Sequence, residues 1–160
     1  MTSWIFQGHP KKFRVDDYLY DHDLIKWTIN QEHFKDKISF GDEVYIWRAD
    51  GGKSNSGGII AKGKILSHPI ELMDGAHEYW IEEPDDLYGL RVEIELEDIR
   101  LNEEEGMILR GDLVKDDNVK EMRINRLRIE TIYKLEPKHS KHIDYLWKSK
   151  KDLSHYSRFI

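Results

Sequence analysis

The chain has 160 residues, 39% of them hydrophobic, which suffices for one buried core and is too little for two ordinary domains. It has no cysteine, so disulfides, thiolate zinc sites and cysteine nucleophiles are excluded. The net charge of −6 argues against a dense basic face for nucleic acid, although net charge does not report local fields. No apolar run is long enough to cross a bilayer and no leader resembles a signal peptide, so we expect a cytoplasmic protein without a membrane partner.

The first quarter of the chain predicts strands that alternate with short helices. Residues 3–7 form a short apolar run typical of a strand, and a Gly-His-Pro turn ends it. Residues 14–20 carry apolar side chains at helical spacing behind two aspartates that suit a helix N-terminus. Residues 24–29 are strand-forming, and a helical turn is expected within 30–37.

The centre of the chain holds two β-rich runs on either side of a loop of Asp, Gly, Lys, Ser and Asn. The runs are 43–49 and 59–66, and both alternate between two faces. The loop can offer backbone N–H groups, small hydroxyls and Lys53 to a ligand. Residues 69–75 predict an excursion rather than a clean strand, whereas 90–99 are the clearest alternating strand in the sequence.

The last third of the chain gives a weaker pattern until its final helix. Residues 107–113 and 119–127 have a moderate helix signal, and 132–135 predict a brief strand. A helix is expected to open at Pro137, because proline is tolerated at the first helical position, and Trp147 shares its apolar stripe as a core residue.

No internal repeat, low-complexity tract or linker divides the chain. We therefore expect one domain over residues 1–150, followed by a tail at 151–160. The predicted architecture is a compact, mostly antiparallel α+β domain with a curved or barrel-like sheet.

Signatures of the common enzyme classes are missing. The sequence has no Walker loop, no GxSxG elbow, no HExxH and no GxGxxG opening a helix after a strand. His139 and His142 lie on one side of the last helix, but a third ligand is lacking nearby, so a solvated face is preferred over a metal pair. The acidic runs 82–86 and 103–105 could supply paired carboxylates, although exposed acids beside loops usually serve solvation. We predict no metal, no cofactor and no enzymatic activity.

The tryptophans are the most informative residues. Four of the five occur in separate segments at a strand or its edge, namely Trp4, Trp27, Trp47 and Trp80. Burial in the core is the first interpretation for each of them. Indoles at a sheet edge beside a polar loop are also what an aromatic cage requires, since a flat base stacks between them with about 1–3 kcal/mol per base.

Several segments together resemble an EVE domain of the PUA-like superfamily, a relative of the YTH readers of N6-methyladenine. The segments are SWIFQGHPKKF, KWTINQ, GDEVYIWRADGGKSNSGGIIAKGKI, EYWIEEP, RVEIEL and ETIYKLEPKHSKHIDYLW. The resemblance covers the chain to about residue 150. It implies a PUA-like pseudo-barrel of mostly antiparallel strands with flanking helices, and the flipping of modified bases of DNA or RNA into an aromatic pocket. Such modules also occur beside modification-dependent restriction GTPases.

The resemblance also implies which residues form the site. Trp27 and Trp80 match the walls of the pocket, and the segment after the first strand matches the part that touches the base edge. Contact with the base falls to Gln7, Gly8, His9, Trp27, Thr28, Asn30, Trp47 and Trp80. Contact with the nucleic-acid backbone falls to Lys11, Lys12, Lys53, Ser54, Asn55, Ser56 and Gly57. Related sequences often carry Asn at the position of His9.

Two hypotheses follow from these patterns. The first is a reader that binds methylated or hydroxymethylated cytosine, or N6-methyladenine, and that works beside a restriction-type GTPase or nuclease module. The second is a PUA-like module for protein interaction or small-ligand binding without a nucleic-acid role, in which the aromatics are mostly core. Solvent exposure of Trp27 and Trp80 separates the two, because a cage needs an open slot between them.

Overall fold

The computed structural model describes residues 1–84 and 87–157, with side chains as far as residue 150. Asp85 and Asp86, which belong to the predicted acidic loop, lie outside the described residues, as do 158–160 of the predicted tail. None of the described helices is both long and apolar enough to span a bilayer.

One sheet of eight strands organises the described part of the chain. The strands are β1 (Ser3–Gly8), β2 (Leu24–Thr28), β3 (Glu43–Arg48), β4 (Gly58–Ile65), β5 (Ile70–Met73), β6 (Tyr88–Ile99), β7 (Ile108–Leu109) and β8 (Ile132–Leu135). Their order is β2-β6-β4-β3-β1-β8, with β5 added beside β6 and β7 beside β4. Only the β1–β3 pair is parallel among these strands, and α1 and β2 lie in the crossover that a parallel pair requires.

The helices flank this sheet. They are α1 (Val15–Asp21), α2 (Arg110–Lys115), α3 (Arg123–Arg126) and α4 (Pro137–Ser157), with 3-10 turns at Glu32–Phe34 and His77–Tyr79. The predicted opening of α4 at Pro137 is confirmed, and the helix continues past residue 150. The α+β class with a curled, mostly antiparallel sheet is confirmed as well. Register shifts at Ile46/Trp47 and Lys62/Gly63 fit the curl, because β-bulges increase local twist.

One expectation for the centre of the chain was wrong. A strand, β5, forms where an excursion was expected, because residues 70–73 pair with the beginning of β6. Three of its four residues are exposed, so the sequence lacks the alternation of buried and exposed positions that predicts a strand.

The sheet separates two hydrophobic cores. Val44 and Ile46 of β3 enter the first core, and Tyr45 and Trp47 enter the second, which confirms the predicted alternation. The second core is closed by α4, and Trp147 packs there as predicted, with 3% of its surface exposed. The first core extends to α1 and to the end of β2, where it meets the surface.

Candidate functional site

A cleft of about 400 Å³ opens where the first core reaches the surface. It lies between the end of β1, the end of β2, the segment 74–84 and the loop before β8. Its volume falls within the roughly 300–1,000 Å³ of sites for small ligands. Seven of the eight residues predicted to contact a base line it, namely Gln7, Gly8, His9, Trp27, Thr28, Asn30 and Trp80.

Trp27 forms the inner aromatic wall. It comes from β2 and is 8% exposed, and its ring lies 6.4 Å from both Phe6 and Phe13, measured between ring centroids. Gly8 allows this placement, since a Cβ there would lie 2.7 Å from Val15 Cγ2 and 3.3 Å from the indole of Trp27. The ring is therefore fixed before any ligand arrives.

Trp80 forms the outer aromatic wall and is partly exposed. Its ring packs on Phe13 with 4.6 Å between centroids, and a backbone bridge joins the same two residues. The carbonyl of Lys12 accepts hydrogen bonds from the N–H groups of Ile81 at 2.8 Å and Glu82 at 3.2 Å. Phe13 thus touches both tryptophans, and the cleft presents three aromatic rings.

Polar groups stand around these rings. His9, Thr28 and Asn30 line the cleft from the ends of β1 and β2. Burial, together with the positive charge of Lys12, lowers the pKa of His9 below its ordinary value of 6.5. A histidine with a lowered pKa is neutral at pH 7, so its ring offers one donor and one acceptor.

Gln7 lines the cleft, but its side-chain amide is hydrogen-bonded to the loop before β8. The amide donates to the carbonyl of Arg128 at 3.1 Å and to that of Glu130 at 2.8 Å. Gln31 holds the other end of this loop, because its side chain exchanges two hydrogen bonds of 2.8 Å with the backbone of Ile132. Ile129, which is 83% exposed, is thereby held at the mouth of the cleft.

Asp74 adds a carboxylate to the wall. It follows β5 directly, and its Oδ1 accepts a hydrogen bond from the N–H of Ala76 at 2.9 Å. Its Oδ2 is buried and has no hydrogen-bond partner among the residues that the structure describes. The same holds for Nε1 of Trp80. Two residues of the lining therefore each have one buried polar atom, an acceptor and a donor, without a partner in the described part of the chain.

The structure places Trp47 away from the cleft. It is 1% exposed and belongs to the second core, on the face that α4 covers. A side chain enclosed in this way has no free face on which a base could stack, so Trp47 is not part of the cleft.

The loop after β3 is closed largely by its own residues. Asp50 accepts a hydrogen bond from the N–H of Gly57 at 2.7 Å, and the hydroxyl of Ser56 donates to the carbonyls of Asp50 at 2.9 Å and Lys53 at 2.6 Å. Arg48 donates to the carbonyl of Ser56 at 2.7 Å. These groups of Ser56 and Gly57 are thus already engaged inside the loop.

The same loop lies beside the turn that leads into the cleft. A Cβ on Gly51 would be 3.3 Å from Pro10, and one on Gly52 would be 2.8 Å from the side-chain end of Lys11. Lys53 is exposed in this loop, as are its neighbours Ser54 and Asn55, while Lys11 and Lys12 are exposed on the turn. Lys12 also lines the cleft. Of the predicted backbone-binding residues, Lys12 thus lines the cleft, and four others, Lys11, Lys53, Ser54 and Asn55, are exposed on the turn and the loop beside it.

Acidic side chains border another side, where Glu82 and Glu83 line the cleft. An anion is attracted to lysines and repelled by carboxylates, so the side of the mouth that carries Lys11 and Lys12 is the side that favours an anion. The cleft mouth is electrostatically asymmetric in spite of the negative net charge.

The histidines of α4 differ from the expectation of a solvated face. His139 is 6% exposed, and Nε2 of His142 lies 2.7 Å from Oδ2 of Asp116. His142 thus has a protein partner. In the part of the chain that the structure describes, no three His, Asp or Glu side chains gather in a way that could hold a metal ion.

Several lining residues escaped the sequence patterns. Phe13 stands in a polar turn, and Asp74 stands in the supposed excursion, where a lone carboxylate is an ordinary turn residue. Ile129 had the clearest signal, since it is a single aliphatic between Arg128 and Glu130. Their shared location depends on contacts between segments far apart in the chain.

The curled sheet with its flanking helices is the fold of several solved structures, which this chain matches at low sequence identity. The DUF55 domain of human thymocyte nuclear protein 1 superposes with a TM-score of 0.61 at 14% identity, over 91% of this chain and 98% of that one. A structure of human THYN1 with DNA that contains 5-methylcytosine gives 0.61 at 12% identity, over 94% and 98%. A hypothetical protein from Leishmania major gives 0.66 at 12% identity, over 94% and 97%. No family model and no curated protein match the sequence.

Proposed function

We propose that this chain is a non-enzymatic reader that takes a modified base out of DNA and stacks it in the cleft against Trp27 and Trp80. The observation that carries the proposal is the cleft itself, because both tryptophans line one open site with Phe13 between them. The human neighbour in complex with DNA containing 5-methylcytosine supports the same class of ligand. Stacking of about 1–3 kcal/mol per aromatic contact offsets the few kcal/mol that flipping costs.

Discrimination between bases has to come from the polar lining. Stacking tolerates every base, because each has a π-face, so recognition of the modification depends on edge contacts and fit. Thr28, Asn30 and neutral His9 line the cleft together with the rings. We assign the base edge to these three residues and the support of the cleft wall to Gln7.

The strand itself is held outside the cleft. Lys11, Lys12 and Lys53 contact flanking phosphates, with Ser54 and Asn55 beside them, and each phosphate contact adds to the salt dependence of binding. Ile129 lies at the mouth in a loop fixed by two glutamines. An exposed aliphatic in this position suits a wedge that enters the base stack when a nucleotide leaves it.

A titration followed by tryptophan fluorescence tests the proposal. Duplexes of one sequence carry cytosine, 5-methylcytosine, 5-hydroxymethylcytosine, adenine or N6-methyladenine at one central position, at two salt concentrations, with a matched RNA series. We expect one modified base to bind at least about tenfold more tightly than its parent, with affinity falling as salt rises. Equal or absent binding across the series contradicts the reader and favours the protein-interaction or small-ligand module.

Tyr145→Ala is the matched control for this titration. Tyr145 is an aromatic residue on α4 with 64% exposure, and it does not line the cleft. Its removal is expected to leave binding unchanged. A comparable loss in this variant would place the binding surface on α4 instead.

A further inference from the structure

The cleft contains the carboxylate of Asp74, of which only one oxygen is hydrogen-bonded within the protein. Asp74 is anchored through Oδ1, which accepts the 2.9 Å hydrogen bond from Ala76 N–H. Asp74 lines the cleft, and its second oxygen is buried and has no hydrogen-bond partner among residues 1–84 and 87–150. A buried polar atom without a partner carries a desolvation cost that a ligand donor can relieve.

A carboxylate accepts hydrogen bonds and donates none, so the complementary ligand atom is an N–H or O–H. Lys26 lies near this segment, since a Cβ on Gly75 would be 3.7 Å from its Nζ. A base that stacks in the cleft therefore has to offer a hydrogen-bond donor to Asp74.

Nucleobases differ in the donors they offer. Cytosine and adenine carry an exocyclic amine, whereas thymine and uracil carry a carbonyl oxygen at the equivalent position. The ring N–H of thymine is flanked by two carbonyl oxygens, and both would face the same negative charge. An exocyclic amine projects from the ring and meets the carboxylate without that repulsion.

We propose that Asp74 accepts a hydrogen bond from the exocyclic amine of the flipped base and so restricts the cleft to amino-bearing bases. The proposal rests on the reader function above and names the class of base that the site takes. Asp74 is then a specificity-determining residue, and thymine-type bases are rejected even when they carry the same 5-methyl group.

Asp74→Asn tests this, because it keeps the shape of the side chain. Ala76 N–H requires the amide oxygen, so the NH₂ group turns toward the ligand and opposes its amine. The probes are 5-methylcytosine and thymine at one position opposite an abasic site, which removes the difference in pairing. We expect wild type to prefer 5-methylcytosine about 10- to 100-fold, and the variant to lose or invert that preference.

The controls separate the possible failures. Asp117→Asn changes an aspartate whose side chain is 88% exposed and lies outside the cleft, and it is expected to keep the wild-type preference. An unchanged preference in Asp74→Asn, with both probes bound, overturns the role of Asp74 and leaves the reader intact. Absence of binding to both probes by wild type overturns the reader and this inference with it.

A measurement on wild type alone guards against misfolding of the variant. The probe is 5-methyl-2-pyrimidinone, which keeps the ring and the methyl group but has hydrogen in place of the amine. We expect affinity about 10- to 100-fold below that of 5-methylcytosine, because the carboxylate oxygen stays unpaired in the complex. Equal affinity for the two probes overturns the proposal.

Discussion

The two hydrophobic cores of this molecule differ in what separates them from the solvent. The second core holds Tyr45 and Trp47 and is closed by α4, whose Ile143 and Trp147 are buried in it. The first core ends at Trp27 without a covering helix, and the cleft opens there. Both are rich in aromatic residues, so composition does not distinguish them. The difference lies in which face of the curled sheet the last helix covers.

This difference separates structural tryptophans from those available to a ligand. Trp47 of the second core is 1% exposed, so it is buried among its neighbours. Trp80 is partly exposed and its Nε1 has no partner within the described residues. We therefore expect substitutions in the second core to act on stability and substitutions at the cleft to act on binding.

The largest effect is expected from Trp47→Ala. The change removes a fully buried indole from the second core, and such substitutions cost about 3–5 kcal/mol of unfolding free energy. Urea unfolding measures the loss, with Tyr145→Ala as an exposed aromatic control that should stay within about 0.5 kcal/mol of wild type. A loss below about 1 kcal/mol for Trp47→Ala would break the distinction between the two cores.

Trp80→Ala is expected to show the reverse pattern. Loss of one stacking wall should weaken binding of the preferred oligonucleotide by about 1–3 kcal/mol, or roughly 5- to 150-fold. The unfolding free energy should fall less than in Trp47→Ala, because Trp80 is partly exposed before the change. Fluorescence anisotropy of a labelled duplex measures the affinity. Unchanged affinity would show that Trp80 is a packing residue of the first core.

Ile129→Ala is expected to have a smaller effect that depends on the form of the ligand. A wedge that fills the gap in a duplex contributes about 1 kcal/mol by burial, so affinity for duplex should fall about fivefold. Affinity for a single strand should not change, because no stack has to be filled. Leu24→Ala is the control, since Leu24 is 57% exposed and does not line the cleft. Equal losses for duplex and single strand would contradict the wedge.

His9→Gln is expected to give the smallest effect, visible in the pH dependence of stability. Burial and the charge of Lys12 lower the pKa of folded His9, whereas the unfolded chain keeps the ordinary value of 6.5. Below pH 6.5 the unfolded state therefore takes up the proton first, and wild type loses stability as pH falls through the lower folded pKa. Denaturant unfolding between pH 5 and 8 measures this as wild type minus variant. A difference that does not vary with pH would contradict the lowered pKa.

Much of the fold was predictable because the information is local. The alternation of 43–49 predicted both faces of β3, and Pro137 predicted where α4 opens. The tryptophans of the cleft, Trp27 and Trp80, came from resemblance in the segments KWTINQ and EYWIEEP, and the structure brings them to one cleft. Local sequence was sufficient wherever neighbouring residues determine the element.

The misses share a physical cause, which is contact between distant segments. Trp47 was predicted to contact the base. Alternation shows that Trp47 shares a face of β3 with Tyr45, but the sequence does not show that α4, which opens at Pro137, covers this face. Asp74 becomes part of the cleft only because the segment after β5 lies against the end of β2 in the folded chain. Such relations are set by packing and leave no periodic signal.

The two glutamines that hold the loop before β8 have a consequence for how this domain can change. Gln7 bonds the carbonyls of Arg128 and Glu130, and Gln31 bonds the backbone of Ile132. Backbone groups are common to all residues, so these hydrogen bonds do not depend on the side chains of 128–130. Residues 128 and 129 of this wall can therefore be exchanged to suit a different ligand while the sheet stays the same, whereas the side chain of Glu130 also accepts hydrogen bonds from Arg123 at 2.8 and 3.0 Å.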